Sequence, residues 1–584
     1  MEEIGVFLVR VVEWVNDIVW SPALVGLCLA AAFYFSVRTR FVQVRRFGEM
    51  FKLLIGFNTP QSAKADSSPN LGEQLGEKKA DSSNEMREQL GKKKADSSNE
   101  MREQLVCEKG EQQDRKKVGI SSFQAFAMAL SGRVGTGNIV GVATAIGFGG
   151  PGAIVWMWII AFFGAGSAFV EATLAQIYKE DHNGQFRGGP AYYIEKGLHS
   201  PFFGGLFAVL AAVACGIFLP PIQGNSIAIS CSQSFGVAPW IIGVVVATLL
   251  GLVIIGGVKR IANVAQIVAP VMALVYIILA IVVLVVNWQI VPDVFLQMLR
   301  GAVGVNEVGG ALIGSTIAWG VKRGIYSNEA GQGTGAIVAA AAKVSHPVKQ
   351  GLVQAFSVYI DTLLVCTATA MMILACKTYN IVDTVSMNGG TATVTYLLQN
   401  PTAPEGEPGV FYTTSAIGTV VGPRAGDLII SVALFFFAFT TIMAYYYYAE
   451  TNLVYLFNRW RRRVYKKHPE RLDELERADM NFGDDRGEKA VIWVLRVCTI
   501  SVVFIASLQT SGFVWKLGDI GVGVMAWINI VAILLLSPKA LRTLKDYERQ
   551  KKEGKEPRFE PEKMGIECEY WKVRGDPRRG GEHR

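Results

Sequence analysis

The sequence predicts an all-α polytopic membrane protein with eleven transmembrane helices: one N-terminal helix, then two inverted five-helix repeats whose first helices are broken. Three observations support this prediction. The 584-residue chain is 51% hydrophobic and only 18% charged. Its apolar residues fall into separate runs of the length that crosses a bilayer. Two of these runs are interrupted by clustered glycines, which an unbroken helix does not favour.

The individual spans follow from the apolar runs, since a helix needs about 20 predominantly apolar residues to cross the hydrocarbon core. The predicted spans are 18–36, 120–146, 151–177, 203–230, 239–257, 262–287, 306–342 with a break, 351–376, 426–457, 489–510 and 513–537. Before the first span, apolar residues are interspersed with Glu13 and Asp17. This pattern predicts an amphipathic helix on the membrane surface.

The orientation follows from the loops that carry Lys and Arg, because these residues accumulate on the cytoplasmic side. Alternate loops are basic, from the cluster at 38–46 to the cluster at 539–545 after the last span. We therefore predict a multi-pass protein of the cell membrane with its N-terminus outside and its C-terminus in the cytoplasm. The same clusters account for the net charge of +8, so we predict a lipid bilayer and no nucleic acid as partner.

Composition divides the chain into five predicted segments. They are an N-terminal amphipathic segment with the first helix (1–36), a cytoplasmic loop (37–118), the first five-helix repeat (119–288), the second five-helix repeat (289–540) and a charged cytoplasmic tail (541–584). The loop contains three charged 15-residue repeats over 65–109. Their few apolar residues cannot bury a core, which predicts a disordered insert or a loose exposed helix. Neither the repeats nor the tail is assigned a function.

The first broken helix is predicted at 131–141, where four glycines, an arginine and an asparagine interrupt an apolar segment. A glycine in a helix interior costs about 1 kcal/mol relative to alanine. Non-helical backbone at bilayer depth is tolerated only where it is buried in protein or lines a cavity. We interpret 135–138 as the unwound centre. A similar sequence occurs at 333–338. Four complete spans separate the two segments, so they cross the membrane in opposite directions, as in inverted-repeat transporters.

An unwound segment offers two kinds of binding group. Helix N-termini present N–H groups with partial positive charge that suit a carboxylate. Freed carbonyl oxygens suit a hard cation such as sodium. We predict that the N–H groups of Thr136 and Gly137 bind a carboxylate. A hinge, or close packing of small residues, is the structural alternative.

Five long motifs lie along the chain. They are SGRVGTGNIVG at 131–141, GGPAYYIEKG at 188–197, WGVKRGIYSNEAG at 319–331, HPVKQG at 346–351 and IDTLLVCTAT at 360–369. Together they resemble the alanine or glycine:cation symporter family, over much of 18–540. The resemblance implies import of small neutral amino acids (alanine, glycine), with sodium as the transported coupling ion. It also implies the fold of the bacterial leucine transporter with one additional N-terminal helix.

The resemblance implies a substrate site at the first break. Thr136 and Gly137 are expected to hold the substrate carboxylate, and Asn138 is expected to line the site. Gln223, within the sequence PPIQGN of the fourth span, is the further substrate contact. The family commonly has Trp where this chain has Tyr445. The pocket wall therefore differs, and the size of the accepted substrate is left open.

The resemblance also implies a sodium site. The hydroxyls of Thr440 and Thr441 are expected to coordinate sodium together with the carbonyls of Ser131 and Val134. Helical spacing places Thr441 and Tyr445 on one face, so that one turn reaches both ion and substrate. The structural alternative is that both hydroxyls bond the preceding turn of their own helix.

Ionisable residues inside a span are functional candidates by default. In this chain they are Arg133, Glu171, Asp361 and Glu450. A paired structural role is the alternative for each, because a buried charge needs a partner. Lys322, Arg323 and Glu329 near the second break are predicted to form a cytoplasmic gate network.

Two other functions remain open from the sequence. One is a proton-coupled symporter of the same fold, with Asp361 or Glu171 titrating, and the other is an ion channel. We predict no enzyme, because the sequence has no His, Cys and Asp metal cluster, no Gly-Lys-Ser/Thr phosphate loop and no nucleophile elbow.

Overall fold

The computed structural model describes residues 2–55, 119–182, 184–305, 309–388, 391–467, 486–509, 511–568 and 570–571. The charged repeats over 65–109 and the end of the tail lie outside the described residues. The described chain is mostly helical, with two short antiparallel hairpins.

The elements follow the order of the predicted spans. The helices up to the second break are α1 (Glu2–Val19), α2 (Pro22–Arg38), α3 (Val42–Arg45), α4 (Phe47–Ile55), α5 (Ser122–Arg133), α6 (Gly137–Gly149), α7 (Ala153–Ile177), α8 (Pro190–Gly197), α9 (Pro201–Phe235), α10 (Pro239–Ile254), α11 (Gly257–Val286), α12 (Val291–Ala302) and α13 (Gly309–Asn328). Those after it are α14 (Thr334–Ala341), α15 (Pro347–Ala375), α16 (Val410–Val421), α17 (Pro423–Lys467), α18 (Arg486–Ala506) and α19 (Ser511–Lys552). The hairpins are β1 (Glu180–His182) with β2 (Gln185–Arg187), and β3 (Ile381–Asn388) with β4 (Thr391–Leu398).

Eight helices of the described chain are long and apolar enough to cross a membrane, and they coincide with eight of the eleven predicted spans. The other three predicted spans are also helical. Two are the broken pairs α5–α6 and α13–α14, and the third is α10, which has only 16 residues. The count of eleven therefore stays a prediction, although every predicted span coincides with a helix.

The two broken helices lie in the middle of the bundle. α6 packs against α13, and α14 packs against α5, so each half of one broken helix contacts a half of the other. Around them, α7 packs against α13 and α15, and α17 packs against α5 and α9. The residues at both breaks are buried. This packing allows backbone groups to leave the helical pattern without facing lipid.

Backbone geometry marks both breaks where the glycine clusters predict them. α5 ends at Arg133, Val134 is extended (φ −79°, ψ 90°), and α6 begins with a π-helical turn at Gly137. At the second break Gly331 and Gly333 have φ values of 87° and 92°. These values are in the left-handed region that favours glycine.

Two features correct or extend the prediction. The hairpin β3–β4 lies between α15 and α16, so the predicted all-α class is corrected to mostly helical. The predicted charged tail also folds against the bundle: the Phe559 N–H donates to the Ser345 carbonyl at 3.1 Å, and Trp571 Nε1 donates to the Gln176 carbonyl at 2.9 Å. Buried apolar side chains, including Phe559, Ile566 and Trp571, carry this packing, although charged residues dominate the composition of the tail.

Candidate functional site

The end of α5 releases two carbonyl groups from helical hydrogen bonding. In a continuous helix the Gly135 N–H would donate to the Ser131 carbonyl, but here it donates to Asn138 Oδ1 at 2.8 Å. The Asn138 N–H, which would serve the Val134 carbonyl, donates to the Gly135 carbonyl at 3.2 Å. The unwound backbone therefore leaves the Ser131 and Val134 oxygens available to another partner.

Thr441 of α17 meets these oxygens. Its Oγ1 lies 2.8 Å from the Ser131 carbonyl oxygen, 3.3 Å from that of Val134 and 2.9 Å from that of Phe437 on its own helix. One hydroxyl has a single proton to donate, so three carbonyls cannot all be satisfied by it at once. Three carbonyl oxygens and one hydroxyl oxygen at buried positions form an oxygen cradle of the kind a hard cation prefers. Ser131, Val134, Phe437 and Thr441 are named the oxygen cradle below.

Thr440 faces its own helix. Its Oγ1 donates to the Phe436 carbonyl at 2.9 Å and lies 3.1 Å from the Phe437 carbonyl. This is the bond to the preceding turn that the sequence left open. Thr440 shares the Phe437 carbonyl with the oxygen cradle, and its role as a sodium ligand stays a prediction.

A second polar cluster surrounds Thr136. The Thr136 N–H donates to Gln223 Oε1 at 3.1 Å, and the Tyr326 hydroxyl faces the side chains of both residues. Three atoms of this cluster, Thr136 Oγ1, Gln223 Nε2 and Tyr326 Oη, are buried and close to one another, but none makes a hydrogen bond of normal geometry with a described residue. A buried polar group without a partner costs about 1–3 kcal/mol. Three together point to a polar ligand that completes the cluster.

Tyr326 is the site residue that the sequence analysis missed. It lies in the motif at 319–331, just before the second break, and its ring is buried beside Gly137. A Cβ at Gly137 would lie only 3.1 Å from Tyr326 Cδ1. Its position one turn before a predicted break was the available signal, but only the packing of α6 on α13 brings it to Thr136.

Gly135 separates the oxygen cradle from the Thr136 cluster. A Cβ at this position would lie 2.5 Å from Thr441 Oγ1 and 3.1 Å from Gln223 Oε1. Both distances are shorter than a normal van der Waals contact, so there is no room for a side chain at this position. Gly135 alone therefore lies between the two sites. An ion in the cradle and a ligand on the cluster would be close neighbours.

Asn138 fixes the shape of the unwound segment. Its Oδ1 accepts from the Gly135 N–H, and its Nδ2 donates to Asp361 Oδ1 at 2.7 Å. The Asp361 carboxylate also accepts from Ser327 at 2.9 Å and from Thr362 at 2.7 Å. Asp361 thus joins α6, α13 and α15. It has no cationic partner within ion-pair distance among the described residues.

Three of the predicted intramembrane ionisable residues are held in structural networks. Arg133 donates to the Asn328 carbonyl at 2.7 Å and to Gln354 Oε1 at 3.0 Å, which ties the first break to the second. Glu171 accepts from the Gly331 N–H at 3.3 Å and from Asn529 at 2.8 Å. Glu450 pairs with Arg187 at 2.7 Å and accepts from Tyr446. The predicted alternative of a charge pair thus describes Glu450, whereas Arg133 and Glu171 are held by hydrogen bonds to neutral groups.

The three residues of the predicted cytoplasmic gate network do not share one set of partners. Lys322 and Arg323 bind Asp519 of α19, with Arg323 making two bonds of 3.0 Å and Lys322 one of 2.8 Å. Asp519 lies about two turns from the start of α19. Glu329 is separate from them, at the break itself, where it accepts from Tyr448 at 3.3 Å. Glu329 is close to Lys322 and Arg323 in the sequence, but it follows the end of α13 at Asn328 and therefore has different partners.

Tyr445 lies one turn after Thr441 on α17, as the predicted spacing requires. Its side chain is buried and packs on Tyr448 with ring centroids 5.9 Å apart. The structure therefore places Tyr445 within the buried core, one turn from Thr441.

Comparison with known proteins adds independent findings. A family model described as the sodium:alanine symporter family matches residues 6–69, 97–468 and 478–561. The putative sodium/proton-dependent alanine carrier protein YrbD of Bacillus subtilis is 44% identical over 95% of this chain and 96% of its own length. The sodium/proton-dependent alanine carrier protein of Bacillus sp. (strain PS3) is 43% identical over 78% of this chain and 94% of its own. The probable sodium/glutamine symporter GlnT of Bacillus subtilis is 35% identical over 97% of this chain and 96% of its own.

Proposed function

The chain belongs to the sodium:alanine symporter family, and from this premise we propose that it imports small neutral amino acids, alanine and glycine, with sodium by alternating access. The observation that carries the proposal is the pair of adjacent sites on either side of Gly135. One offers only oxygen atoms, and the other offers buried polar groups that lack partners. A sodium ion and an amino-acid carboxylate match these two environments.

The proposed architecture has eleven spans: an N-terminal helix and two inverted five-helix repeats, as in the bacterial leucine transporter. The N-terminus lies outside, the C-terminus lies in the cytoplasm, and the protein resides in the cell membrane. Two observations support this proposal: a helix coincides with each predicted span, and the first helix of each proposed repeat is broken. The alternation of basic loops supports the orientation.

In the proposed cation site, the carbonyls of Ser131 and Val134 and the Thr441 hydroxyl coordinate sodium, with Thr440 beside them. The ion would give the freed carbonyls a partner that a single hydroxyl proton cannot supply. Its charge would also hold the end of α5 and the facing turn of α17 in one arrangement. Sodium binding would therefore prepare the neighbouring substrate site.

In the proposed substrate site, Thr136, Gly137 and Gln223 bind the carboxylate, with the Tyr326 hydroxyl as a further donor. Asn138 lines the site by shaping the segment, and Tyr445 belongs to the wall. The carboxylate and the sodium ion carry opposite charges on the two sides of Gly135. In a buried environment such charges attract strongly, which couples the binding of one to the binding of the other.

Replacing Tyr326 with phenylalanine is expected to raise the KM for alanine about 10- to 100-fold, because a hydrogen bond to a charged group contributes about 1.5–3 kcal/mol. Initial rates of labelled alanine uptake into proteoliposomes measure this change. Tyr412→Phe is the matched control, since that hydroxyl bonds the Asn380 carbonyl instead. An unchanged KM in Tyr326→Phe would remove Tyr326 from the substrate site.

The substrate class is tested by competition. Unlabelled alanine and glycine are expected to inhibit sodium-dependent uptake of labelled alanine more strongly than glutamine does. Glutamine is included because one relative is named as a glutamine symporter and because Tyr445 alters the pocket wall. Equal or stronger inhibition by glutamine would assign a larger substrate to this chain.

Proton coupling is the second candidate function. It is favoured by the buried Asp361 carboxylate, which joins both broken helices without a cationic partner among the described residues. The names of two relatives also mention protons. In sodium-free buffer, we expect an imposed pH gradient to drive no alanine uptake. Uptake under those conditions that is lost in Asp361→Asn would establish proton coupling instead.

A further inference from the structure

A cavity of about 530 Å³ opens between the end of α2 and the second half of α19. None of its lining residues belongs to the oxygen cradle or to the Thr136 cluster, and it serves none of the steps described above. Its charged lining consists of Arg38, Arg40, Arg45, Arg542, Lys545 and Glu548. Five cationic side chains therefore share this basic cleft with one carboxylate.

The single carboxylate is already occupied. Glu548 lies 2.6 Å from Arg45 and 3.5 Å from Arg46. Arg38, Arg40 and Lys545 have no carboxylate partner within the part of the chain that the structure describes. The basic cleft thus carries an unbalanced positive charge, and an anion is the ligand that would balance it.

The first wall of the basic cleft is held in a specific backbone shape. Arg40 and Phe41 have φ values of 55° and 52°, which residues other than glycine rarely adopt. The turn is fixed by the Phe41 N–H, which donates to the Ser36 carbonyl at 2.7 Å. Arg45 donates to the carbonyls of Thr39 and Arg40, each at 3.2 Å. These bonds hold the arginines around the opening.

Apolar surface leads directly to the basic cleft from the membrane side. On α19, Val531 and Leu535 are 46% and 63% exposed, and the same helical face continues to Arg542 and Lys545. On α2, Val37 is 46% exposed immediately before Arg38. Both helices thus change from lipid-facing apolar residues to basic residues at the same level. Such a change marks the boundary between acyl chains and headgroups.

We propose that the basic cleft binds the phosphate headgroup of an anionic phospholipid. The acyl chains of this lipid lie along the exposed apolar faces of α2 and α19. Basic pockets between transmembrane helices are suited to anionic headgroups. A soluble phosphate shares the headgroup chemistry, but it would leave the two apolar faces uncovered. The bound lipid joins the N-terminal helix to the last helix of the bundle.

The test uses the full-length purified protein and three probes: phosphatidylglycerol, phosphatidylcholine and glycerol 3-phosphate. Native mass spectrometry measures the affinity for each. Each Lys or Arg near an anionic surface contributes roughly fivefold. The triple variant Arg38→Gln, Arg40→Gln, Lys545→Gln is therefore expected to weaken phosphatidylglycerol binding about a hundredfold and to leave phosphatidylcholine binding unchanged.

Two matched variants complete the experiment. Lys552→Gln, Lys555→Gln, Lys563→Gln makes the same charge change outside the basic cleft and is expected to bind phosphatidylglycerol like the wild type. Arg38→Lys, Arg40→Lys keeps the charge and is expected to retain binding. Wild-type affinity in the glutamine variant of the cleft would overturn the proposal. So would equal binding of the two lipids, or glycerol 3-phosphate binding as tightly as phosphatidylglycerol. The wild-type preference among the three probes decides the proposal even if the glutamine variant does not fold.

Discussion

Replacing Thr441 with alanine is expected to raise the sodium concentration needed for half-maximal alanine uptake about 10- to 100-fold. Thr441 contributes the one side-chain oxygen of the oxygen cradle, whereas Ser131, Val134 and Phe437 contribute backbone carbonyls that substitution does not remove. Without the hydroxyl the ion loses one ligand, and the removed side-chain atoms leave a small cavity beside it. Initial uptake rates measured against sodium concentration in proteoliposomes give the effect directly.

Thr440→Ala is the matched control, because it makes the same chemical change at the neighbouring position. The Thr440 hydroxyl bonds the Phe436 carbonyl of its own helix, so we expect a smaller loss of sodium affinity than in Thr441→Ala. An equal loss in both variants would show that Thr440 is also a ligand, as the resemblance implies. An unchanged sodium dependence in Thr441→Ala would contradict the proposed cation site.

Replacing Gly135 with alanine is expected to abolish transport. The added Cβ would lie 2.5 Å from Thr441 Oγ1 and 3.1 Å from Gln223 Oε1, so it would displace groups of both proposed sites at once. We expect uptake to fall to the level of empty liposomes at any sodium or alanine concentration. Uptake rates and size-exclusion profiles of the purified variant measure the loss and the integrity of the fold.

Gly141→Ala provides the control for this substitution. It adds the same methyl group in the same broken helix, but its Cβ would first meet Arg323 Cδ at 3.7 Å, an ordinary contact. Alanine also favours a helix over glycine by about 1 kcal/mol, so this variant should fold and transport normally. Normal transport by Gly135→Ala would contradict the proposal that the cation site and the substrate site lie on either side of Gly135.

Much of the fold could be predicted from local sequence properties. Apolar runs predict spans because hydrophobic length matches bilayer thickness. The glycines at 131–141 predict a break because their cost in a helix depends on local backbone alone. The resemblance implied that Thr441 shares a sodium site with the carbonyls of Ser131 and Val134. The structure brings these three residues together.

Other features depend on contacts between distant elements, which periodicity does not reveal. Tyr326 approaches Thr136 only because α13 packs on α6. The resemblance implied that Asn138 lines the site, but its bonds to Gly135 and Asp361 form only in the folded break. The partner of Arg323, Asp519, lies almost 200 residues away in the sequence, and only the packing of the helices brings the two side chains together.

The driving force for accumulation tests the central claim most directly. Proteoliposomes containing the purified protein receive an inward sodium gradient at equal pH on both sides, with the membrane potential clamped by potassium and valinomycin. We predict that labelled alanine accumulates above its external concentration, that the accumulation grows with the sodium gradient, and that replacing sodium with choline removes it. Accumulation driven only by an imposed proton gradient, or equilibration without accumulation, would contradict sodium-coupled symport.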